Sequence, residues 1–235
     1  MKTLALLVTL ALASAATPID RPPRVFVIGD SISMHYGPYL RAALGPGVHY
    51  DRKRGDGHAW ADLDRPVGAN GGDSRAVLAY LRARAAAGGI DADVLLFNCG
   101  LHDIKTPPTT GRRQVDPDLY ARTLDTILNV VDSLGVAPVW MRTTPVVDTI
   151  HNRGRVEKGR FRRFAADVAL YNRLADSVMA SRDVPAVDLH ALSESFGPEA
   201  FADHVHYHEP YRRRQGDYLA GYLAGYLATR GEQGR

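Results

Sequence analysis

Apolar residues along this chain fall into two alternating patterns. Five short apolar runs, at 25–28, 48–51, 94–98, 138–143 and 186–189, are each bounded by turn residues and have the length of buried strands. Between them lie stretches with helical spacing. The segment 39–44 is short, whereas 74–87 sets Val77, Leu78 and Leu81 on one face with Ser74 as the expected N-cap. The segment 117–134 places Leu119, Leu124, Ile127, Leu128 and Val131 at helical intervals behind Asp116 and Pro117. Two longer helices are expected at 160–182, striped by Phe164, Val168, Tyr171, Leu174 and Val178, and at 209–229, with Tyr211, Tyr218, Leu219, Tyr222 and Leu223. Strands alternating with helices predict an α/β fold: a doubly wound, five-stranded parallel sheet covered on both faces, a three-layer α/β/α sandwich. The repeat at 219–227 is too short for a solenoid, and no linker divides residues 16–235, so one domain is expected.

The first fifteen residues do not fit this alternation. A basic start at Met1-Lys2, an apolar stretch at 3–12 and the small residues Ala13-Ser14-Ala15 read as a secretory signal peptide cleaved near Ala15. The rival reading, an anchor helix, needs a longer apolar run. The expected product is secreted or periplasmic, without stable membrane insertion. Losing this segment removes Lys2 and no acid, so the formal charge falls from +3 to +2. A nearly neutral chain argues against a nucleic-acid partner. The sole cysteine, Cys99, ends an apolar strand and is read as a buried thiol, which leaves no internal disulfide.

In a parallel sheet, chemistry collects on the loops that follow the strand carboxyl ends. Four such loops carry reactive residue types: Gly29-Asp30-Ser31, Asn70-Gly71-Gly72-Asp73-Ser74, Gly100-Leu101-His102-Asp103 and Asp203-His204-Val205-His206. Together they supply a serine nucleophile, backbone and side-chain donors, and a histidine with a carboxylate three residues before it. Serine is a poor nucleophile without a base. His206 is the expected base for Ser31. Asp203 is expected to hold the imidazole tautomer and stabilise the imidazolium.

These blocks, in this order, resemble those of the GDSL-type, or SGNH, hydrolases. Gly29-Asp30-Ser31 resembles the first block, Gly72 the glycine of the second, Gly100-Leu101-His102-Asp103 the third and Asp203-x-x-His206 the last. The resemblance implies a flavodoxin-like sheet and a serine esterase, lipase or acyltransferase activity with no cofactor. It implies an oxyanion site built from Ser31, Gly72 and the residue at 102. The family usually has asparagine there, so His102 is the departure: either it replaces the third donor or it braces the loop.

Other readings remain. His204, His206 and His208 alternate and would share a face of an extended segment, so with His102, Asp103, Asp30 and Asp203 they allow a metal-dependent hydrolase. A non-catalytic glycan-binding protein is a third class. Arginine clusters at 52–54, 112–113, 160–163 and 212–214 are read as solvated faces rather than as contacts to an anionic glycan. Arg142, Trp60, Asp30 and Asp103 are candidate substrate contacts, with core packing the alternative for Trp60, and the segments 107–114 and 147–158 are candidate pocket walls or lids. The expected substrate is a small-molecule or glycan ester; by analogy with secreted members of the family that the chain resembles, together with its polar loops, deacylation of a carbohydrate is favoured over lipolysis.

Overall fold

The computed structural model describes residues 21–233, so the expected signal segment lies outside the described residues. Five strands, β1 (Arg24–Ile28), β2 (His49–Arg52), β3 (Val94–Phe97), β4 (Ala137–Met141) and β5 (Ala186–Val187), pair in parallel in the order β2-β1-β3-β4-β5. Every residue of β3 is buried, whereas β2, at one edge, is half exposed. The chain order of the strands reverses between β1 and β3, which makes their carboxyl ends the switch point of the sheet.

The main helices are α1 (Ser31–Leu44), α2 (Ser74–Ala86), α3 (Pro117–Ser133), α5 (Ala165–Ser181) and α7 (Glu209–Gln233), with two short ones, α4 (Asp148–His151) and α6 (Leu189–Glu194). Helix α1 packs on α7, and α2, α3 and α5 pack in sequence against one another. The two groups cover the sheet as the doubly wound pattern requires. Beneath them Trp140, fully buried, meets Phe97 edge-on at 5.1 Å between ring centroids. Cys99 is buried, as its strand-end position implied. No helix among the described residues is long and apolar enough to cross a membrane.

The elements depart from expectation where local chemistry overrides periodicity. Helix α1 starts at Ser31, not at 39, and runs through Pro38. Asp30 makes the early start possible, because its carboxylate accepts the Ile32 N–H at 2.9 Å while its carbonyl accepts the Ser33 hydroxyl at 2.6 Å. The cap of α2 is Asp73, which accepts from the Ala76 N–H at 2.9 Å, and Ser74 is the first helical residue. Helix α5 begins at Ala165 because the preceding residues are extended: Thr106 and Arg162 exchange two backbone hydrogen bonds of 2.9 Å. In α7 Leu219 and Leu223 are buried, but Tyr218 is exposed, so only part of the tyrosine set is core.

Replacing Trp140 by alanine removes the largest fully buried side chain; the expected cost is about 3–5 kcal/mol of unfolding free energy, read from the denaturant midpoint. A loss below about 1 kcal/mol would contradict this account of the core.

Candidate active site

Ser31 follows β1 at the sheet's switch point and is the first residue of α1, so its N–H has no partner within the helix. Its Oγ lies 2.7 Å from His206 Nε2. His206 Nδ1 lies 2.7 Å from Asp203 Oδ2, and Asp203 Oδ1 accepts the Val205 and His206 N–H groups at 2.8 Å each. The loop that carries this pair closes on itself. Phe201 and Tyr207 form an antiparallel bridge, and their rings stack at 4.9 Å. Burial opposes ionisation of Asp203, but the hydrogen bond and charge of His206, with the two N–H groups, outweigh it and hold the carboxyl well below the usual range.

His35 was not singled out by the sequence. It stands one helical turn after Ser31, so both face the same imidazole, and its ring packs against His206 at 4.9 Å. On its other side Trp60 stacks on it at 5.4 Å, nearly parallel. Burial, with the charges of His206 and Arg212, pushes the His35 pKa down to about 3, so this ring is neutral. The i, i+4 spacing after Ser31 was the available signal. Trp60 itself is 55% exposed, which excludes core packing as its role.

The other loops converge on Ser31 through backbone contacts. The Gly71 N–H donates to the Gly29 carbonyl at 2.8 Å, tying the glycine loop to the Ser31 turn. Gly72 has φ +75°, and a Cβ there would lie 2.6 Å from Pro66 Cβ, so only glycine fits. Its N–H donates to Asn70 Oδ1 at 3.0 Å. That contact departs from the expectation of a free oxyanion donor, because the short Asn70 side chain folds back on the N–H two residues ahead. His102 is buried, and its Nδ1 has no hydrogen-bond partner among the described residues. Burial and the nearby cations Lys105 and Arg163 keep it neutral, well below the usual histidine range.

Three expected substrate contacts are placed elsewhere. Asp30 is buried and spends its carboxylate on the α1 cap, and burial raises its pKa. Asp103 is fully buried and accepts the Ser74 N–H and hydroxyl, which braces the third loop against α2. Arg142 pairs with Asp176 and Asp188, where the starts and flanks of neighbouring helices supply carboxylates. The alternating histidines also part company. His206 turns to Ser31, His204 turns to Asp64 at 3.5 Å, and His208 is exposed before α7. Among the described residues no three His, Cys, Asp or Glu side chains converge as a metal site.

Behind the triad lies a charged cluster that residue spacing could not reveal. Asp64 meets Arg155 at 3.1 Å and Arg163 at 3.7 Å. Lys105, Arg155 and Arg163 surround the Phe161 ring at 4.5, 4.5 and 4.8 Å. Arg163, expected on a solvated face, is 2% exposed and donates through Nε to the Leu101 carbonyl at 2.6 Å. Within segment 147–158 only His151 and Arg155 are buried, and the stretch from Val156 to Lys158 is exposed; His151 Nδ1 meets the His204 carbonyl at 3.2 Å.

Comparison with solved structures places this arrangement. The chain is similar to Est24, a carbohydrate acetylesterase from Sinorhizobium meliloti, at 17% identity and TM-score 0.60, covering 87% of this chain and 99% of that one. It is similar to a lipase/acylhydrolase from Enterococcus faecalis at 16% identity and TM-score 0.61, covering 87% and 96%. A member of the lipolytic G-D-S-L family from Veillonella parvula matches at 15% identity and TM-score 0.58, covering 85% and 97%. The chain has the SGNH hydrolase fold. No protein-family model and no curated protein matches the sequence. The serine turn, the glycine loop, the third loop and the Asp-His loop all stand at the carboxyl edge of the sheet.

The buried Asp103 gives a pH-dependent prediction. Burial raises its pKa to about 7, whereas an unfolded aspartate titrates near 4. The folded state therefore holds the extra proton between these values, and stability falls as pH rises through that window. In Asp103→Asn the amide still accepts from the Ser74 N–H and does not titrate. Its stability relative to wild type is expected to increase from pH 4 to pH 8 in denaturant melts. Asp103→Ala leaves the Ser74 groups unpaired and is expected to cost about 1–3 kcal/mol. A flat difference for the Asn variant across this range would refute the assignment.

Proposed function

We propose that this protein is a serine carboxylic-ester hydrolase that removes O-acyl groups, acetyl in particular, from a carbohydrate. The observation that carries the reading is the continuous hydrogen-bonded chain from Ser31 Oγ through His206 to Asp203, with both links at 2.7 Å. In this reading His206 takes the hydroxyl proton as Ser31 Oγ attacks the acyl carbon. The tetrahedral intermediate collapses with cleavage of the ester C–O bond, and His206 returns the proton to the leaving alcohol. Water, activated by the same histidine, then releases the acyl group from Ser31. Asp203 holds the imidazole and balances its charge. Transfer of the acyl group to a second sugar would use the same residues and differ only in the acceptor.

The oxyanion is assigned to the Ser31 N–H and the His102 ring, with the Gly72 N–H joining once it is shared with Asn70. A neutral imidazole donates one N–H, as such a site needs, and needs no proton from solvent. Polar surroundings and the likeness to a carbohydrate acetylesterase support the substrate class over a lipid. The signal motif at 1–15 supports export to the periplasm or medium.

Two measurements test this. Ser31→Ala is expected to abolish hydrolysis of p-nitrophenyl acetate and of acetylated polysaccharide, with loss of labelling by a serine-directed phosphonate; activity that survives would end the serine mechanism. At position 102, His102→Ala is expected to lower kcat by roughly 10²–10³, the scale for losing one oxyanion donor, while His102→Asn retains more. Near-wild-type kcat for both variants would leave His102 as a loop brace.

A further inference from the structure

The nucleophile's helix continues into an open groove that the proposed chemistry does not use. Ser31, Met34, Pro38 and Arg41 recur at three- and four-residue steps, so they form one stripe along α1. From Met34 onward that stripe is one wall of a groove of about 610 Å³ between α1 and the segment after β2. Met34 to Arg41 covers roughly 10 Å at the usual helical rise. Trp60 lines the groove, and its indole stacks on His35, which in turn packs at a tilt against the His206 ring beside Ser31. A sugar lying on Trp60 is thus two ring contacts, of 5.4 and 4.9 Å, from the His206 imidazole.

The charge of the groove is one-sided. Its lining includes Arg41, Arg52 and Arg54 against one carboxylate, Asp51. Arg52 is fastened to the Ser33 carbonyl at 2.7 Å and to the Ala69 carbonyl at 3.1 Å, so it is a fixed charge in the wall. Arg54 pairs with Asp51 at 2.8 Å but is 78% exposed, and Arg41 is exposed at the end of α1. Two accessible guanidinium forks beside an exposed indole present complementary chemistries. The indole face suits the C–H face of a sugar ring, and the forks suit carboxylates.

We propose that this groove binds the glycan portion of the substrate, and that Arg41 and Arg54 select a glycan whose sugar units carry carboxylates. The inference rests on the ester-hydrolase reading for the fate of the bound sugar, but the binding itself is separable from it. The fixed Arg52 holds a positive potential along the wall, and Trp60 sets the first sugar against the aromatic stack.

The test uses full-length protein carrying Ser31→Ala, so that binding is measured without turnover, with oligogalacturonate and a neutral xylo-oligosaccharide of equal length as probes. Oligogalacturonate is expected to bind about tenfold more tightly, and the preference is expected to weaken with salt. Adding Arg41→Glu with Arg54→Gln is expected to erase the preference. Arg54→Gln avoids a second negative charge beside Asp51, and the all-Gln pair serves as a milder second variant. Trp60→Ala is expected to weaken both glycans. Equal binding of the two glycans, or a preference that survives both arginine variants, overturns the proposal. So does stronger capture by phosphatidylglycerol vesicles with the same arginine dependence. The hydrolase reading fails separately, if the protein with Ser31 intact does not hydrolyse acetylated polysaccharide while the groove keeps its preference.

Discussion

A hydrogen bond between two side chains 175 positions apart, Ser31 Oγ to His206 Nε2, constrains the whole molecule. A bond of 2.7 Å tolerates little misplacement, and neither residue is held by its own neighbours alone. Ser31 is placed by β1 and by the Asp30 cap of α1. His206 is placed by a closed loop just before α7, and α7 packs on α1. The helix that carries Ser31 and the helix that follows His206 therefore support each other. That packing lets one short contact persist across most of the chain.

The remaining loops are fastened to this pair by polar contacts that a buried setting makes costly to break. Gly71 reaches the nucleophile turn, Asp103 reaches α2, and Arg163 reaches Leu101 in the third loop. Asp64 gathers Arg155, Arg163 and His204 from distant segments, and these neighbours overcome burial to hold its carboxyl far below the usual range. Four aspartates near the triad thus have different fates. Asp203 and Asp64 are kept ionised by their partners, whereas burial raises Asp30 and Asp103. The residue type is the same; desolvation and neighbouring charge separate the roles.

The similar solved structures share this architecture at 15–17% identity. Such tolerance is expected of a fold whose core asks for apolar volume in the right places rather than for particular residues. At the sheet's carboxyl edge His102 is buried in the third loop, and His35 stands between Trp60 and His206.

Much of this was written in local pattern. Short apolar runs between turn residues sufficed for five parallel strands, and helical spacing sufficed for the covering helices, because strand and helix periods differ and each must bury one side. Ser31, Asp203 and His206 were legible because the chemistry needs those residue types on strand-end loops. The limits were equally physical. Capping at Asp30 set a helix start that periodicity alone misplaced, Asp73 rather than Ser74 caps α2, and the Thr106–Arg162 bridge shortened α5. Which polar side chain faces the site and which is consumed within the protein depends on partners far away in sequence. Asp103 went to Ser74, Arg142 to Asp176 and Asp188, the Gly72 N–H to Asn70, and His35 to His206. Sequence determined the elements and the reactive residue types, since these follow from local period and intrinsic chemistry. Tertiary structure decided the pairings, since a buried donor, acceptor or charge takes its role from whatever the fold brings within about 3 Å of it.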